Sequence, residues 1–586
     1  VPPRPQSTSR LANIAARRIF SAFGDHRQRF RVLTRAAQQH FERRDWARAR
    51  DNATDRLMLY RRAVDGVEAW LRATLATKLT DRLLWVSMKA VYSGLIAERH
   101  DWDLAETFFN SVTRRIFATV GVDPMIEFVD SDFDQPPGGQ RRPPRLQVRG
   151  RVDARGLCAA LLADRFPGVI WDDKTRDAAA MAERISATLA ARGVQGELTA
   201  DMLVPVFYLG KAAYLVGRLH ADGVQLPLVV ALRNGPRGVF VDAVLLDESA
   251  VSVLFSYTRT YFMVDTPRPH DVVDFLQEIL PRKPRGELYI SIGQPKQGKT
   301  QLYRDLLHHL AQHPEERFRH AAGTPGLVMV VFDLPGHDVV LKVMRDRFPP
   351  EKTVTPDLVQ TRYRWVYTHD RAGRLLDAQS FEHLELPLHA FDDALLTELT
   401  TSCSRGVWIQ GDQLVIGKTW IERRIRPLNL YLRQAAPDDA RRAALGLAAA
   451  IRDLAACNIF PGDLLPKNFG VTRSGRVAFY DYDEVVPLTA CNFRDIPEPQ
   501  TLEQEMADRP WYPVGPDDVF PEEFPRFLGM PGPLRRLLQQ EHGELFTAAW
   551  WRAMQAQVDS GKVVEFVPYS AEHRLWEGGH PGQGAG

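Results

Sequence analysis

Along the first hundred positions, apolar residues recur every three or four places: Phe41 and Trp46, then Leu57, Tyr60, Val64, Val67 and Leu71. That spacing lines one face of an α-helix, and the intervening Ala, Arg and Gln favour the same state, so residues 11–98 are expected to form a helical bundle. The stretch 135–145, with its Pro-Pro-Gly-Gly and Arg-Arg-Pro-Pro, breaks the period and reads as a loop or hinge. A helical segment over 177–192 leads into runs of β-branched residues at 226–232, 238–246 and 251–255. Asn234-Gly235-Pro236 between the first two marks a hairpin.

The pattern changes near residue 316. Strands are expected over 327–334 and 338–343 around Pro335-Gly336, then a helix over 355–374 opened by Thr355-Pro356. A hairpin at 408–416 follows, then an amphipathic helix at 437–457 with Leu447, Ile451 and Leu454 on one face, then a strand over 477–480. That order is kinase-like. The expected fold class is α+β: a mostly helical N-terminal domain with a small β region, residues 1–315, followed by a bilobal protein-kinase-like domain with a C-terminal helical extension, residues 316–586.

With 586 residues the chain is long enough for two to four domains, and 45% hydrophobic with 25% charged residues is ordinary for a globular protein. A formal charge of +2 gives no reason to expect nucleic acid. The four cysteines form no C-x-x-C pair, which suits a reducing cytoplasm, and no apolar run reaches the ~20 residues of a spanning helix. The Arg- and Ser-rich start, without an acid before Asp25, reads as a disordered lead into the first helix rather than a targeting peptide. The absence of an initiator Met hints at a trimmed or partial chain.

The chemistry concentrates in Phe460-Pro-Gly-Asp-Leu-Leu-Pro-Lys-Asn-Phe-Gly470 and Asp481-Tyr-Asp-Glu484. A kinase catalytic loop needs an Asp to take the substrate hydroxyl proton, an Asn five residues later for a metal, and a second metal-binding Asp after a nearby strand. Asp463, Asn468 and Asp481 meet those intervals. Asp483 adds a second carboxylate at the metal end, and Lys467 could reach a transferring phosphoryl group, though a solvated loop lysine is nearly as good a reading. Lys342, between apolar neighbours on a strand, stands where a kinase lysine would meet the nucleotide's α- and β-phosphates. Ala321, Ala322, Gly323, Thr324, Pro325, Gly326 and Leu327 form a weak Gly-containing nucleotide loop, and Glu422 falls in the expected adenine hinge.

Two other patterns compete. Gly293-Gln-Pro-Lys-Gln-Gly-Lys-Thr300 is a literal P-loop match, read as following a strand at 288–292, which would make the protein a P-loop NTPase. Asp481-Tyr-Asp-Glu-Val485 has the form used by phosphatases with an aspartyl nucleophile. A nucleotide-binding pseudo-kinase is the third alternative.

Several longer strings, among them Tyr261-Phe-Met-Val-Asp265, Asn458-Ile-Phe-Pro-Gly-Asp463, Lys467-Asn-Phe-Gly-Val-Thr472 and Phe479-Tyr-Asp-Tyr-Asp-Glu484, resemble the bacterial isocitrate dehydrogenase kinase/phosphatases over nearly the whole chain. The resemblance implies a bifunctional enzyme that phosphorylates a serine of isocitrate dehydrogenase and removes the phosphate, switching carbon into the glyoxylate bypass. It implies ATP/ADP with Mg2+ (or Mn2+) at one site, AMP as allosteric effector, and Asp377 as the acid of the phosphatase direction. A homodimer is the accompanying expectation. The sequence departs from the kinase pattern in two ways: Pro461-Gly462 replaces the catalytic-loop His and Arg, and no Glu stands in the 355–374 helix to pair with Lys342. Glu382 or Glu385 is the expected substitute, unless the ion pair is absent.

Overall fold

The computed structural model describes residues 7–129, 145–149, 153–256, 261–350, 352, 354–369, 371–506, 510–561 and 566–576. The Pro/Gly stretch expected as a hinge lies, apart from Arg145, outside these residues. The chain divides into two compact units, Val1–Ala311 together with Val567–Gly586, and Gln312–Phe566.

In the first unit, long helices Thr8–Arg43, Trp46–Leu75, Arg82–Ile96 and Trp102–Phe117 bury the expected stripe, Val64, Val67 and Leu71 included. The β-branched runs belong to an antiparallel sheet in which Ala212–Ala221 pairs with Val224–Gly235 and that strand with Gly238–Leu245 at the edge. Both faces of that sheet are covered. Val229 and Ala231 pack into one core with the long helices, while Val230 and Leu232, pointing the opposite way, pack into another with the helix Lys174–Ala191.

Two expected strands are helices. The run 251–255 belongs to the helix Glu248–Leu254, whose N-cap Asp247 accepts a hydrogen bond from the Ala250 amide at 2.8 Å. A strong cap outweighs the β propensity of two valines. The run 288–292 likewise falls in the helix Arg285–Ser291, leading into the helix Pro295–Gln312. This removes the P-loop reading, which needs a strand before the loop. Its glycines have other uses. A Cβ on Gly298 would lie 2.4 Å from the Gly286 carbonyl oxygen, so it permits two helices to touch; Gly293, at φ +82°, lies against the Arg56 guanidinium.

The second unit begins with an antiparallel sheet in the order Ala378–Pro387, Gln413–Arg423, His337–Met344, Met329–Leu334, Arg319–His320, with Val407–Gln410 paired to Gln413–Arg423. The helix Pro356–His369 lies between its strands in sequence. The remainder is mainly helical, centred on Pro437–Ala456, whose buried Leu447, Ile451 and Leu454 share a core with Trp551 of the helix Ala548–Asp559.

Candidate active site

Two short β-pairs place the candidate catalytic residues. After the helix Pro437–Ala456, Ile459 and Phe460 pair antiparallel with Pro487 and Val486. This closes a long excursion and sets the backbone of Gly462 against that of Glu484. A Cβ at Gly462, where φ is +80°, would fall 2.5 Å from the Glu484 carbonyl oxygen. The glycine that replaces the expected catalytic-loop arginine is therefore required by close approach. The second pair is the hairpin Phe469–Val471 with Val477–Phe479. It carries Asn468 to one side and Asp481 to the other, and the Tyr480 amide donates to the Asn468 carbonyl at 3.1 Å.

Between these pairs the catalytic loop is held locally. Asp463 accepts the Leu465 amide at 2.9 Å, and the Asn468 side-chain amide donates to the Asp463 carbonyl at 3.4 Å, which leaves the Asn468 Oδ1 for another partner. Burial raises the Asp463 carboxyl above the ordinary value, against the Leu465 amide and the field of Lys467. A base moved toward neutrality suits proton abstraction from a hydroxyl. Lys467 is half-buried, and its carbonyl accepts the Tyr480 hydroxyl.

Lys342 sits on the strand His337–Met344 opposite Val331 on one side and Trp420 on the other. Its ammonium lies 2.8 Å from Glu422 Oε2 and donates to the Tyr480 carbonyl at 2.7 Å. The partner of Lys342 is therefore a glutamate two residues along the neighbouring strand, on the same face by the period of two. This corrects the expectation of Glu382 or Glu385, which pair in register with Lys418 and Val415 instead. It also makes Glu422 an orienting carboxylate beside Lys342.

Residues Ala321–Leu327 connect the strands Arg319–His320 and Met329–Leu334, with 322–325 and Leu327 exposed. The loop is tied at both ends by one network. Arg345 donates to the Gly326 carbonyl at 3.1 Å and pairs with Glu398 at 2.7 Å, and Glu398 meets His320 at 2.5 Å. Neither Arg345 nor Glu398 carries a motif that sequence reading could have used.

Asp377 is brought in by a parallel bridge. Leu375 pairs with Phe479, the Leu376 amide donates to the Phe479 carbonyl at 3.0 Å, and Tyr482 donates its hydroxyl to the Leu376 carbonyl. Asp377 stands two residues beyond that bridge on its strand and Asp481 two residues beyond it on the other. Gln379 Nε2 donates to Asp377 at 2.6 Å.

At the metal end, burial and the adjacent Asp483 carboxylate push the Asp481 carboxyl up to about 8, with Lys342 and Lys352 opposing. Two carboxylates sharing a buried site and an amide oxygen are hard donors suited to Mg2+ or Mn2+. Among the described residues no three His, Cys, Asp or Glu side chains form a metal cluster. Asp483 is paired with Lys352 at 3.3 Å, which leaves Asp481 and the Asn468 amide oxygen as the donors, and Mg2+ commonly takes only one or two carboxylates, the rest of its shell coming from phosphate and water.

Comparison with known proteins agrees with this geometry. The family described as the Isocitrate dehydrogenase kinase/phosphatase (AceK) kinase domain matches residues 316–571, and the regulatory domain of that family matches residues 16–314. An isocitrate dehydrogenase kinase/phosphatase of Anaeromyxobacter sp. (strain Fw109-5) is 44% identical over 579 residues, covering 98% of this chain and 99% of the relative. One from Xanthomonas euvesicatoria pv. vesicatoria (strain 85-10) is 42% identical over 576 residues, covering 98% and 99%. With both domains matched and the kinase hairpin, lysine and catalytic loop assembled in the second, the chain belongs to the isocitrate dehydrogenase kinase/phosphatase family.

Proposed function

We propose that this protein transfers a phosphoryl group from ATP to a serine of isocitrate dehydrogenase and removes it again at the same site, controlling flux between the citric acid cycle and the glyoxylate bypass. The reading is carried by one observation: Asn468 and Asp481 flank one hairpin, in a loop that also carries Asp463, and Lys342, paired with Glu422, donates to the Tyr480 carbonyl beside Asp481, in a chain of this family. A kinase family implies ATP and a divalent cation, which when bound neutralises phosphate oxygens and the charge that develops in transfer. Asn468 and Asp481 would hold it.

In the forward direction Asp463 takes the seryl proton, Lys342 meets the α- and β-phosphates with its ammonium fixed by Glu422, and the backbone of residues 321–327 covers the nucleotide. Lys467 supplies positive charge to the transferring group. In the reverse direction Asp377 orients water toward the phosphoserine, since the parallel bridge sets it level with Asp481. The first unit is the regulatory domain, answering to AMP, and the enzyme is a cytoplasmic homodimer. No helix among the described residues is long and apolar enough to cross a membrane.

The deciding experiment follows radiolabelled phosphate onto purified isocitrate dehydrogenase and back off, with and without AMP. Asp377→Asn should keep transfer and lose release. Equal loss of both, or release that persists, overturns the shared-site reading.

A further inference from the structure

Asp483 is the second carboxylate at the metal end of the site, and a lysine is already paired with it. Lys352 belongs to the connection between the strand His337–Met344 and the helix Pro356–His369. Its ammonium lies 3.3 Å from Asp483 Oδ2 and 2.6 Å from Glu484 Oε1, with the three side chains 18%, 10% and 35% exposed. From the helix itself, the Arg362 guanidinium donates to the Asp483 carbonyl. Two cations from one segment therefore hold both the side chain and the backbone of the loop that follows Asp481.

Protein kinases commonly hold two Mg2+ ions between the catalytic-loop Asn and the metal-binding Asp. We propose that Lys352 takes the place of the second ion: the site binds one divalent cation, at Asn468 and Asp481, while Asp483 and Glu484 are committed to the lysine. A fixed ammonium and a divalent ion cannot share the same two carboxylates, because like charges repel strongly at a half-buried position. Lys352 is on this view a positioning residue. It neutralises the acids next to the metal and couples the loop before the helix to the catalytic centre.

The inference rests on reading this site as a metal–nucleotide site, and metal counting separates the two. Mn2+ bound per chain is measured by electron paramagnetic resonance in the presence of saturating ADP, for the full-length protein and for Lys352→Met, Lys352→Gln and Lys352→Arg. One ion in the wild type and in Lys352→Arg, rising to two in either neutral variant, is the expected result. Two ions in the wild type, or one in both neutral variants, overturns the role of Lys352 and leaves the nucleotide site standing. No Mn2+ bound by the wild type with ADP overturns the site reading, and this inference with it.

Discussion

Buried acids in the two units live under opposite conditions. In the first, Asp242 is fully buried, yet it accepts the Tyr569 hydroxyl at 2.6 Å and two Arg574 nitrogens at 2.9 and 3.2 Å, with Arg233 at 3.8 Å. In the second, Asp481 faces Asp483, and its carboxyl is raised because burial and a like charge both oppose ionisation. A charge surrounded by its own protein's counter-charges is architecture; a crowd of like charges left in excess is a place prepared for something else to bind.

The comparison can be broken most sharply at Asp463, the proposed base. Asp463→Asn should lower phosphoryl transfer by roughly 10²–10⁴-fold, the usual worth of a general base, with thermal unfolding unchanged. A variant that unfolds early would move Asp463 to the architectural class. Asp242→Ala should do the reverse. Removing it strands Arg574 near buried surface and costs on the order of 3–5 kcal/mol, read as a fall in the denaturation midpoint.

At Asp481 the sign is worked from its raised carboxyl. A proton retained in the fold but lost from the unfolded chain stabilises the protein at low pH, and that stability disappears as pH rises from the ordinary carboxyl value toward about 8. A divalent cation with ADP replaces the proton, so the thermal shift it produces should grow from pH 6 to pH 8.5. Asp481→Asn should flatten this dependence and itself stabilise the metal-free protein at neutral pH, read as a rise in its thermal midpoint. A metal-induced shift independent of pH would count against the pairing of Asp481 with the cation. The smallest effect is expected at the nucleotide loop. Glu398→Gln loosens the anchor shared by His320 and Arg345, and should raise the KM for ATP a few-fold at constant kcat.

What the sequence disclosed follows the range of the interactions. Asn468 and Asp481 lie at the two ends of the hairpin Phe469–Phe479, so spacing alone placed them together. Lys342 and Glu422 are eighty positions apart and meet only through the register of two strands, which no local pattern encodes. Asp377 depends on a single parallel bridge at Leu375, and bottom-up reading had no ground for choosing it. Lys352 bears no motif because its role comes from the two acids that fold onto it. Two short runs rich in β-branched or aromatic residues, at 251–255 and 288–292, are helical where strands are expected. Periodicity cannot separate a strand from a two-turn helix at that length, and the capping Asp247 was the local signal that could have decided the first.

Asp242 is completed by residues that come last. The chain leaves the first unit after Ala311 and re-enters it at Val567, so Tyr569 and Arg574 are made some 258 residues after the unit they close. At about 5–20 residues per second, a nascent chain would spend on the order of ten seconds to a minute with the Asp242 carboxylate buried or exposed without them. The unit synthesised first is thus the one finished last, and a message cut short within the catalytic unit would leave its damage in the regulatory one.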